Sequence, residues 1–185
     1  MKRIFIAIKV EPGPAFLKVY YSIKALLGNE RIKWVEPANI HLTLSFLGDT
    51  MEDRIKVAGI MLNQRCSGFG EFSFSLSGTG VFKNLHDPRV IWIGIDDYER
   101  LQELKFLINR GLADTGFSVD ERTFNPHITI CRIKNLKAPD NLRLAVERYR
   151  DIPIQTVNVK ELILFESILK PTGPVYKPLV IVSLK

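Results

Sequence analysis

The sequence predicts an α+β fold with two pseudo-symmetric lobes, each an antiparallel or mixed sheet with helices on its outer face, and a groove between the lobes. Three observations lead to this prediction. Strand-like and helix-like segments alternate along the 185 residues, which indicates an α/β or α+β protein. The links are short and several strands alternate apolar with polar residues, which favours sheets with one open face. A short motif also occurs twice, which indicates two related lobes within a single domain over residues 1–185.

The first half of the chain is expected to begin with a buried strand. The continuous apolar run within Arg3–Val10 has the length of a strand rather than that of a signal peptide. Apolar residues at helical spacing then predict a helix from Phe16 to Leu27, which Gly28 ends. The further elements predicted in this half are a short strand over Lys33–Val35, an alternating strand over His41–Leu47, a helix capped by Asp49 or Thr50 that runs to about Arg65, and an alternating strand over Phe72–Leu76.

The second half contains the same kinds of segment. An apolar strand and a helix come first, an alternating strand and a second helix follow, and strands close the chain. The predicted elements are a strand over Arg89–Ile95, a helix over Tyr98–Leu112, a strand over His127–Ile133, a helix over Asn141–Tyr149, and strands over Gln155–Phe165 and Pro174–Leu184.

Composition and charge narrow the function. With 46% apolar and 25% charged residues the chain has ordinary globular values, which exclude a disordered or collagen-like protein. No apolar run approaches the roughly 18–20 residues of a membrane span. The chain has 26 Lys and Arg against 20 Asp and Glu, a formal net charge of +6. That balance suits a polyanionic partner such as RNA, or simply a solvated basic surface.

The cysteines and histidines indicate neither a zinc site nor a disulfide framework. Cys66 and Cys131 are far apart and form no Cys-x-x-Cys pair, and the chain has only three histidines. Free thiols in a reducing cytosol are the default for such a chain, although a single disulfide stays open. We therefore expect a cytoplasmic protein.

A short motif occurs twice in matching surroundings. Residues 39–45 are Asn-Ile-His-Leu-Thr-Leu-Ser, and residues 125–131 are Asn-Pro-His-Ile-Thr-Ile-Cys. Both follow the pattern Asn-x-His-φ-Thr-φ-small, in which φ is a branched aliphatic residue. The second histidine lies 86 positions after the first, close to half the chain length. This spacing indicates an internal duplication.

Strand geometry predicts where the side chains of the motif point. Successive side chains in a strand project to opposite faces, so His41 and Thr43 share one face, as do His127 and Thr129. The aliphatic residues between them are expected to face a core covered by helices. If the two sheets face each other, two imidazoles and two hydroxyls converge in one groove.

This set of groups suits in-line attack at phosphorus without a metal. Two imidazoles with a pKa of about 6.5 supply one acid and one base near neutral pH. Two hydroxyls can donate hydrogen bonds to the non-bridging oxygens of a phosphate between them. A single His-x-Thr is usually structural, but two matched copies that use two of the three histidines favour catalysis.

The paired motifs resemble the signature of the 2H phosphoesterase family. The surrounding sequence resembles its RNA 2′,3′-cyclic phosphodiesterase branch, whose members are also called 2′-5′ RNA ligases, over essentially the whole chain. The segments that carry the resemblance are Arg-Ile-Phe-Ile-Ala-Ile at 3–8, Trp34, residues 39–48, Arg-Val-Ile-Trp at 89–92, residues 124–132, and Gly-Pro-Val-Tyr at 173–176.

The resemblance implies a bilobal fold and an enzyme that hydrolyses the 2′,3′-cyclic phosphate ends of RNA to 2′-phosphate. From the residues themselves we expect no metal and no cofactor. The resemblance also suggests that His41 is the acid on O3′ and that His127 is the base, although sequence symmetry by itself leaves these roles open. Some members also join such an end to a 5′-hydroxyl end. The expected partner is RNA with a 2′,3′-cyclic phosphate end, and we expect no membrane association and a monomer.

Four further residues are candidate substrate contacts. Arg132 resembles the family's phosphate-contacting arginine, and a guanidinium offers a phosphate a charged fork of donors. Strict alternation places it on the face opposite to His127, so a β-bulge or a strand end is needed to bring it round. Trp34, Phe124 and Tyr176 are candidates to stack on a base or to line the groove, with core packing as an equal alternative.

Two other residues are expected to be structural. Trp92 is expected in the core and His86 in a loop.

Other functions stay open from the sequence. The alternatives are a related enzyme that acts on a cyclic nucleotide sugar phosphate or on the 3′ end of oligouridine, and a module that binds a nucleotide or RNA without turnover. A metallohydrolase is disfavoured because no acidic cluster accompanies the histidines.

Overall fold

Within residues 1–120, 122–171 and 173–185, which a computed structural model describes, the chain forms nine β-strands and four α-helices. The first half contains β1 (Lys2–Lys9), α1 (Pro14–Leu26), β2 (Arg31–Trp34), β3 (His41–Thr50), α2 (Glu52–Cys66) and β4 (Phe72–Phe82). The second half contains β5 (Val90–Asp96), α3 (Glu99–Asp114), β6 (His127–Asn135), α4 (Pro139–Glu147), β7 (Pro153–Val159), β8 (Glu161–Lys170) and β9 (Gly173–Ser183). None of the described helices is long and apolar enough to cross a membrane.

The strands form two antiparallel sheets, which confirms the predicted α+β class. The first sheet has the order β3-β1-β8-β9 and the second has the order β2-β6-β5-β4-β7. Helices α2 and α3 pack together against the first sheet, and helices α1 and α4 pack together against the second. Each sheet therefore has one face covered by helices and one face left for the groove.

Each half of the sequence contributes closing strands to the sheet of the other half. β1 pairs with β3 in the first sheet, and β5 pairs with β6 in the second. β4, from the first half, pairs with β5, whereas β8, from the second half, pairs with β1. The order β3-β1-β8-β9 thus matches β6-β5-β4-β7, and β2 is an added edge strand. The lobes are pseudo-symmetric but are not the two halves of the sequence, and the strand exchange joins them.

Two predicted boundaries were wrong. The single strand predicted over Gln155–Phe165 is two strands, β7 and β8, which belong to different sheets. The chain turns at Lys160, whose carbonyl oxygen accepts a hydrogen bond from the Leu184 amide at 2.9 Å. Neither Gly nor Pro marks this turn, so the apolar pattern runs through it. Helix α2 begins after Met51 rather than at a cap formed by Asp49 or Thr50, because β3 continues through Thr50.

The core lies between each sheet and its helices. Helix α1 buries Phe16 and Tyr20 completely, and full burial of an aliphatic or aromatic side chain contributes roughly 1.5–3 kcal/mol. The two cysteines are free and buried, as expected, and burial raises the pKa of the Cys66 thiol to about 11 and that of Cys131 to about 12. Because the thiolate is the reactive form, both thiols are inert near neutral pH.

Candidate active site

The two motifs meet in one cavity between the sheets. β3 begins at His41 and β6 begins at His127, and the two strands lie close together. In both copies the histidine and threonine are half-buried on the open face, while the two aliphatic residues of the motif are buried. His41, Thr43, His127 and Thr129 all line a cavity of about 870 Å³. The alternation read from sequence therefore gives the correct face for each motif, and tertiary structure brings the two faces together.

Both imidazole rings are held in the same way. The Nδ1 atom of His41 lies 2.7 Å from the carbonyl oxygen of Asn39, and the Nδ1 atom of His127 lies 2.8 Å from the carbonyl oxygen of Asn125. A carbonyl oxygen only accepts hydrogen bonds, so each Nδ1 must carry the proton and donate it. The Nε2 atom of each ring is then the one available for proton transfer. The asparagine of each motif therefore holds the imidazole through its backbone carbonyl oxygen.

Aromatic rings restrict the motion of the two histidines. The ring centroid of His41 lies 5.1 Å from that of Phe5 and 5.1 Å from that of Tyr176. The ring of His127 meets Phe82 edge to face, with centroids 4.8 Å apart. Contacts of this kind fix the plane of an imidazole at small entropic cost during the reaction.

The pKa of His41 lies below the ordinary histidine value of 6.5. Burial is the largest cause, because it disfavours the charged ring. The hydrogen bond to the Asn39 carbonyl opposes this effect, and the positive charge of Arg132 lowers the pKa further. A guanidinium of the second lobe is therefore close enough to act on a histidine of the first.

A β-bulge turns Arg132 into the cavity. Ile91 is opposite Cys131 but the next residue of β5, Trp92, is opposite Thr129, so β6 has one additional residue at this point. Ile130 and Cys131 are consequently both buried, and Arg132 emerges on the same face as Thr129. Arg132 lines the cavity. The β-bulge that strict alternation requires for Arg132 to contact a phosphate in the cavity is therefore present.

Of the three candidate aromatic residues, Phe124 and Tyr176 line the cavity. Burial raises the pKa of Tyr176, and Arg132 partly opposes that shift. The structure does not bring Trp34 to the cavity. Trp34 is opposite Cys131 in the sheet, on the side of the helices, and its ring packs edge-on against Tyr20 with centroids 5.6 Å apart. Core packing, the alternative reading, is the correct one for Trp34.

Lys105 is a cavity residue that the sequence analysis missed. It lies on α3, lines the same cavity and is only 9% exposed. Its Nζ atom donates a hydrogen bond to the Ser45 hydroxyl at 2.7 Å. Burial lowers its pKa, an effect that the charge of Asp120 partly offsets. The available signal was a lysine on the apolar stripe of a helix, between Leu104 and Ile108.

The sequence predicts Trp92 in the core, and this prediction is wrong. Trp92 is opposite Thr129, so it lies on the open face of the second sheet and is half-buried. Its indole lies against Gly80, where any Cβ would overlap the ring, and it packs against Phe82 with centroids 5.3 Å apart. It lines a second cavity, of about 810 Å³, that meets the first at Asn125. In the sequence, the signal for this placement of Trp92 was Gly80, which has no side chain and leaves room for the ring.

His86 lies in an exposed turn, as predicted. The side-chain oxygen of Asn84 accepts hydrogen bonds from the backbone amides of His86 and Asp87 at 3.0 and 2.9 Å. His86 is not among the described residues that line either cavity. Within the part of the chain that the structure describes, no group of three or more His, Cys, Asp or Glu side chains is arranged to hold a metal ion.

Comparisons with known proteins agree with this geometry. A family model described as "LigT like Phosphoesterase" matches residues 6–92 and again residues 93–176, one match for each copy of the motif. A Thermotoga maritima protein named RNA 2′,3′-cyclic phosphodiesterase is 41% identical over 146 residues, which cover 79% of this chain and 76% of the relative. A protein of the same name from Archaeoglobus fulgidus is 35% identical over 179 residues, which cover 96% and 97% of the two chains. The crystal structure of TT0787 of Thermus thermophilus superposes with a TM-score of 0.75 and 26% identity, covering 98% of this chain and 97% of that one.

Proposed function

Because the chain belongs to the LigT-like phosphoesterase family, we propose that it is an RNA 2′,3′-cyclic phosphodiesterase. The single observation that carries the proposal is the pair of histidines in one cavity. Each has Nδ1 committed to a backbone carbonyl, and each leaves Nε2 for proton transfer. The names of the relatives support RNA as the substrate class.

The reaction is hydrolysis of the cyclic phosphodiester with cleavage of the P–O3′ bond. Water attacks phosphorus in line with O3′, and the Nε2 atom of His127 takes a proton from the water as the new P–O bond forms. His41 gives its Nε2 proton to O3′ as the P–O3′ bond breaks, so the product carries a 2′-phosphate and a 3′-hydroxyl. Solvent then returns both histidines to their starting protonation states.

The assignment of His41 as the acid follows the family resemblance, and the electrostatics of the cavity fit that role once a phosphodiester is bound. Burial and the charge of Arg132 lower the pKa of His41, so its imidazolium gives up a proton more readily than an exposed one. The negative charge of a bound phosphodiester favours the protonated ring in the complex. Arg132 and the hydroxyls of Thr43 and Thr129 line the same cavity. We assign to them hydrogen bonds to the non-bridging oxygens, where negative charge grows in the transition state.

We propose that the enzyme works as a monomer in a reducing cytosol. One chain supplies both copies of the motif, so the cavity needs no residue from a second chain. The two buried cysteines are free thiols, which fits a reducing compartment. Joining of a cyclic phosphate end to a 5′-hydroxyl end stays a prediction from the family resemblance.

The test is turnover of defined substrates. We expect the protein to open a 2′,3′-cyclic mononucleotide and a single-stranded oligonucleotide that ends in a 2′,3′-cyclic phosphate. Phosphorus NMR against authentic 2′- and 3′-nucleotides identifies the product, and the His127→Ala variant controls for contaminating nuclease. A second oligonucleotide with a 5′-hydroxyl end tests for joining. Turnover of neither substrate would reject the proposed function, and a predominant 3′-phosphate would reject cleavage at O3′.

A further inference from the structure

Four basic side chains follow one another on the open face of β2 and β6. They are Arg31 and Lys33 on β2 and Arg132 and Lys134 on β6, and all four are exposed. We call this set the basic strip. Arg132 lines the catalytic cavity, whereas Arg31, Lys33 and Lys134 are not among the described residues that line it. The basic strip therefore begins at the cavity and continues beyond it.

Sheet register places these four residues on one face. Lys33 is opposite Arg132, and Ile32 is opposite Ile133 on the core side. Arg31 alternates with Ile32 and so shares the face of Lys33. β6 has a second bulge here, since Arg31 is opposite Asn135 whereas Ile32 is opposite Ile133. The bulge leaves both Lys134 and Asn135 exposed instead of turning one of them toward the core.

The pseudo-symmetry supplies an internal comparison. The position of Arg132 corresponds to Phe46 in β3, and the position of Lys134 corresponds to Gly48. Within the described residues the first sheet has no counterpart of β2, the strand that carries the other two cations. The two sides of the cavity therefore differ: one continues into an open cationic face, whereas the other has an apolar ring and a glycine at the equivalent positions, and its lining cation Arg3 is paired with Asp49.

No carboxylate in the described part of the chain lies close enough to pair with these cations. Among residues 1–120, 122–171 and 173–185, none of the four has an acidic oxygen within 4.0 Å. Other groove or surface cations do have such partners, such as Arg3 with Asp49 and Arg122 with Asp120. The basic strip is thus available to a polyanion.

We propose that the basic strip binds the phosphodiester backbone of the RNA strand that precedes the cyclic phosphate end. The inference rests on the proposed function, because it takes the reacting end to lie in the cavity beside Arg132. From Thr129 to Lys134 the face extends roughly 15 Å along β6, enough for phosphates beyond the reacting one. From its 3′ end an RNA strand continues in one direction only, toward its 5′ end. We therefore infer that it leaves the cavity over β2, along the basic strip, rather than over the first sheet.

The test compares a long with a short substrate in a variant that spares the cavity. The triple variant Arg31→Gln, Lys33→Gln and Lys134→Gln is assayed on a 2′,3′-cyclic mononucleotide and on a single-stranded oligonucleotide with the same cyclic end. At low salt we expect kcat/KM for the oligonucleotide to fall about tenfold or more while that for the mononucleotide is unchanged. Three lost phosphate contacts should also reduce the slope of log affinity against log salt by about 2.

A matched control removes three cations from the outer helices. Lys18→Gln, Lys56→Gln and Arg110→Gln are all exposed positions, so this triple variant has the same net charge and should keep the wild-type affinity and slope. The proposal is overturned if the strip variant keeps the wild-type slope, if both substrates lose activity equally, or if the control loses as much as the strip variant.

The salt titration is measured by fluorescence anisotropy with the oligonucleotide in the His127→Ala background, where the ligand is not consumed. This binding readout separates the two ideas. If the wild-type protein turns over neither substrate, the proposed function fails, yet a reduced slope in the strip variant still supports an RNA-binding face.

Discussion

Phe46 and Arg132 occupy equivalent positions in the two lobes, and equivalent β-bulges turn both side chains into the cavity. In β3 the bulge lies where Ile6 is opposite Ser45 and Ala7 is opposite Thr43, and in β6 it lies where Ile91 is opposite Cys131 and Trp92 is opposite Thr129. The duplicated backbone thus presents one guanidinium and one apolar ring to the same ligand. The two histidines consequently work in different surroundings although their motifs match.

Removal of the guanidinium should affect both turnover and the alkaline limb of the pH profile. Arg132→Gln should lower kcat/KM by about tenfold to a hundredfold, since a hydrogen bond to a charged group contributes roughly 1.5–3 kcal/mol. Because the charge of Arg132 lowers the pKa of His41, and His41 must be protonated to act as the acid, the variant should also move the alkaline limb of kcat/KM to higher pH. Phe46→Leu is the matched control at the equivalent position, and it should leave that limb in place. A loss of turnover without movement of the limb would contradict the electrostatic role.

Each motif histidine should be required for turnover. His41→Ala and His127→Ala should each lower kcat by about 10²–10⁴, the range for a positioned acid or base. The double variant should lose less than the product of the two single losses, because the two rings act in one step. His86→Ala, in the exposed turn, should be silent. Turnover that survives loss of either motif histidine would place the chemistry elsewhere.

The stability of the protein should fall with acid in a way that depends on His41. Its folded pKa lies below the ordinary value of 6.5, so between these two values the unfolded chain binds more protons than the folded one. The free energy of unfolding therefore decreases as pH falls from 6.5 through the folded pKa, and it is unaffected by His41 above 6.5. Melting temperatures measured from about pH 7.5 to about pH 5 should show a weaker decline in His41→Asn. His86→Asn should keep the wild-type decline, and an unchanged decline in His41→Asn would contradict the prediction.

Cyclic phosphodiesterase activity should survive excess chelator. The described lining of the cavity offers two histidines whose Nε2 atoms serve proton transfer, and its one carboxylate, Asp120, is bound by Arg122 at 2.6 Å. The hydrogen bonds from Arg122 hold the pKa of Asp120 well below its usual range. The measurement is the rate with and without EDTA. A loss of activity that a divalent ion restores would contradict the two-histidine mechanism.

The buried Lys105 should lower stability near neutral pH. Burial of its ammonium is the main reason that its pKa is lowered, and the charge of Asp120 offsets this only in part. A buried charge whose hydrogen bond goes to a hydroxyl, here that of Ser45, is costly. Lys105→Met should raise the free energy of unfolding on the order of 1 kcal/mol while it weakens binding of inorganic phosphate in the cavity. Lys56→Met, at an exposed site on α2, should change stability by less than about 0.5 kcal/mol. A large destabilisation by Lys105→Met would show that the ammonium is well compensated.

Several features of the fold follow from local sequence patterns. The side of the strand taken by His41, Thr43, His127 and Thr129 follows from period-2 alternation, and the structure has all four on the open face. The α+β class and the order of most elements follow from apolar periodicity in the same way. The internal duplication can be recognised from the sequence because the two motifs share the same residue types and not only the same hydrophobic pattern.

Other features depended on which strands become neighbours. Arg132 reaches the cavity through a bulge that appears only when β6 pairs with β5. The tryptophans lie on opposite sides because Trp34 is opposite Cys131, whereas Trp92 is opposite Thr129 and lies over Gly80.

Short segments of the chain already carry the chemistry of this protein: two His-x-Thr pairs, a basic balance and a strand–helix alternation. Tertiary structure alone decided that β7 and β8 separate into different sheets, that the halves exchange strands, and that Lys105 reaches the cavity. Alternation and helical spacing are properties of neighbouring residues and can be read locally, whereas register, bulges and facing surfaces arise from pairs distant in sequence.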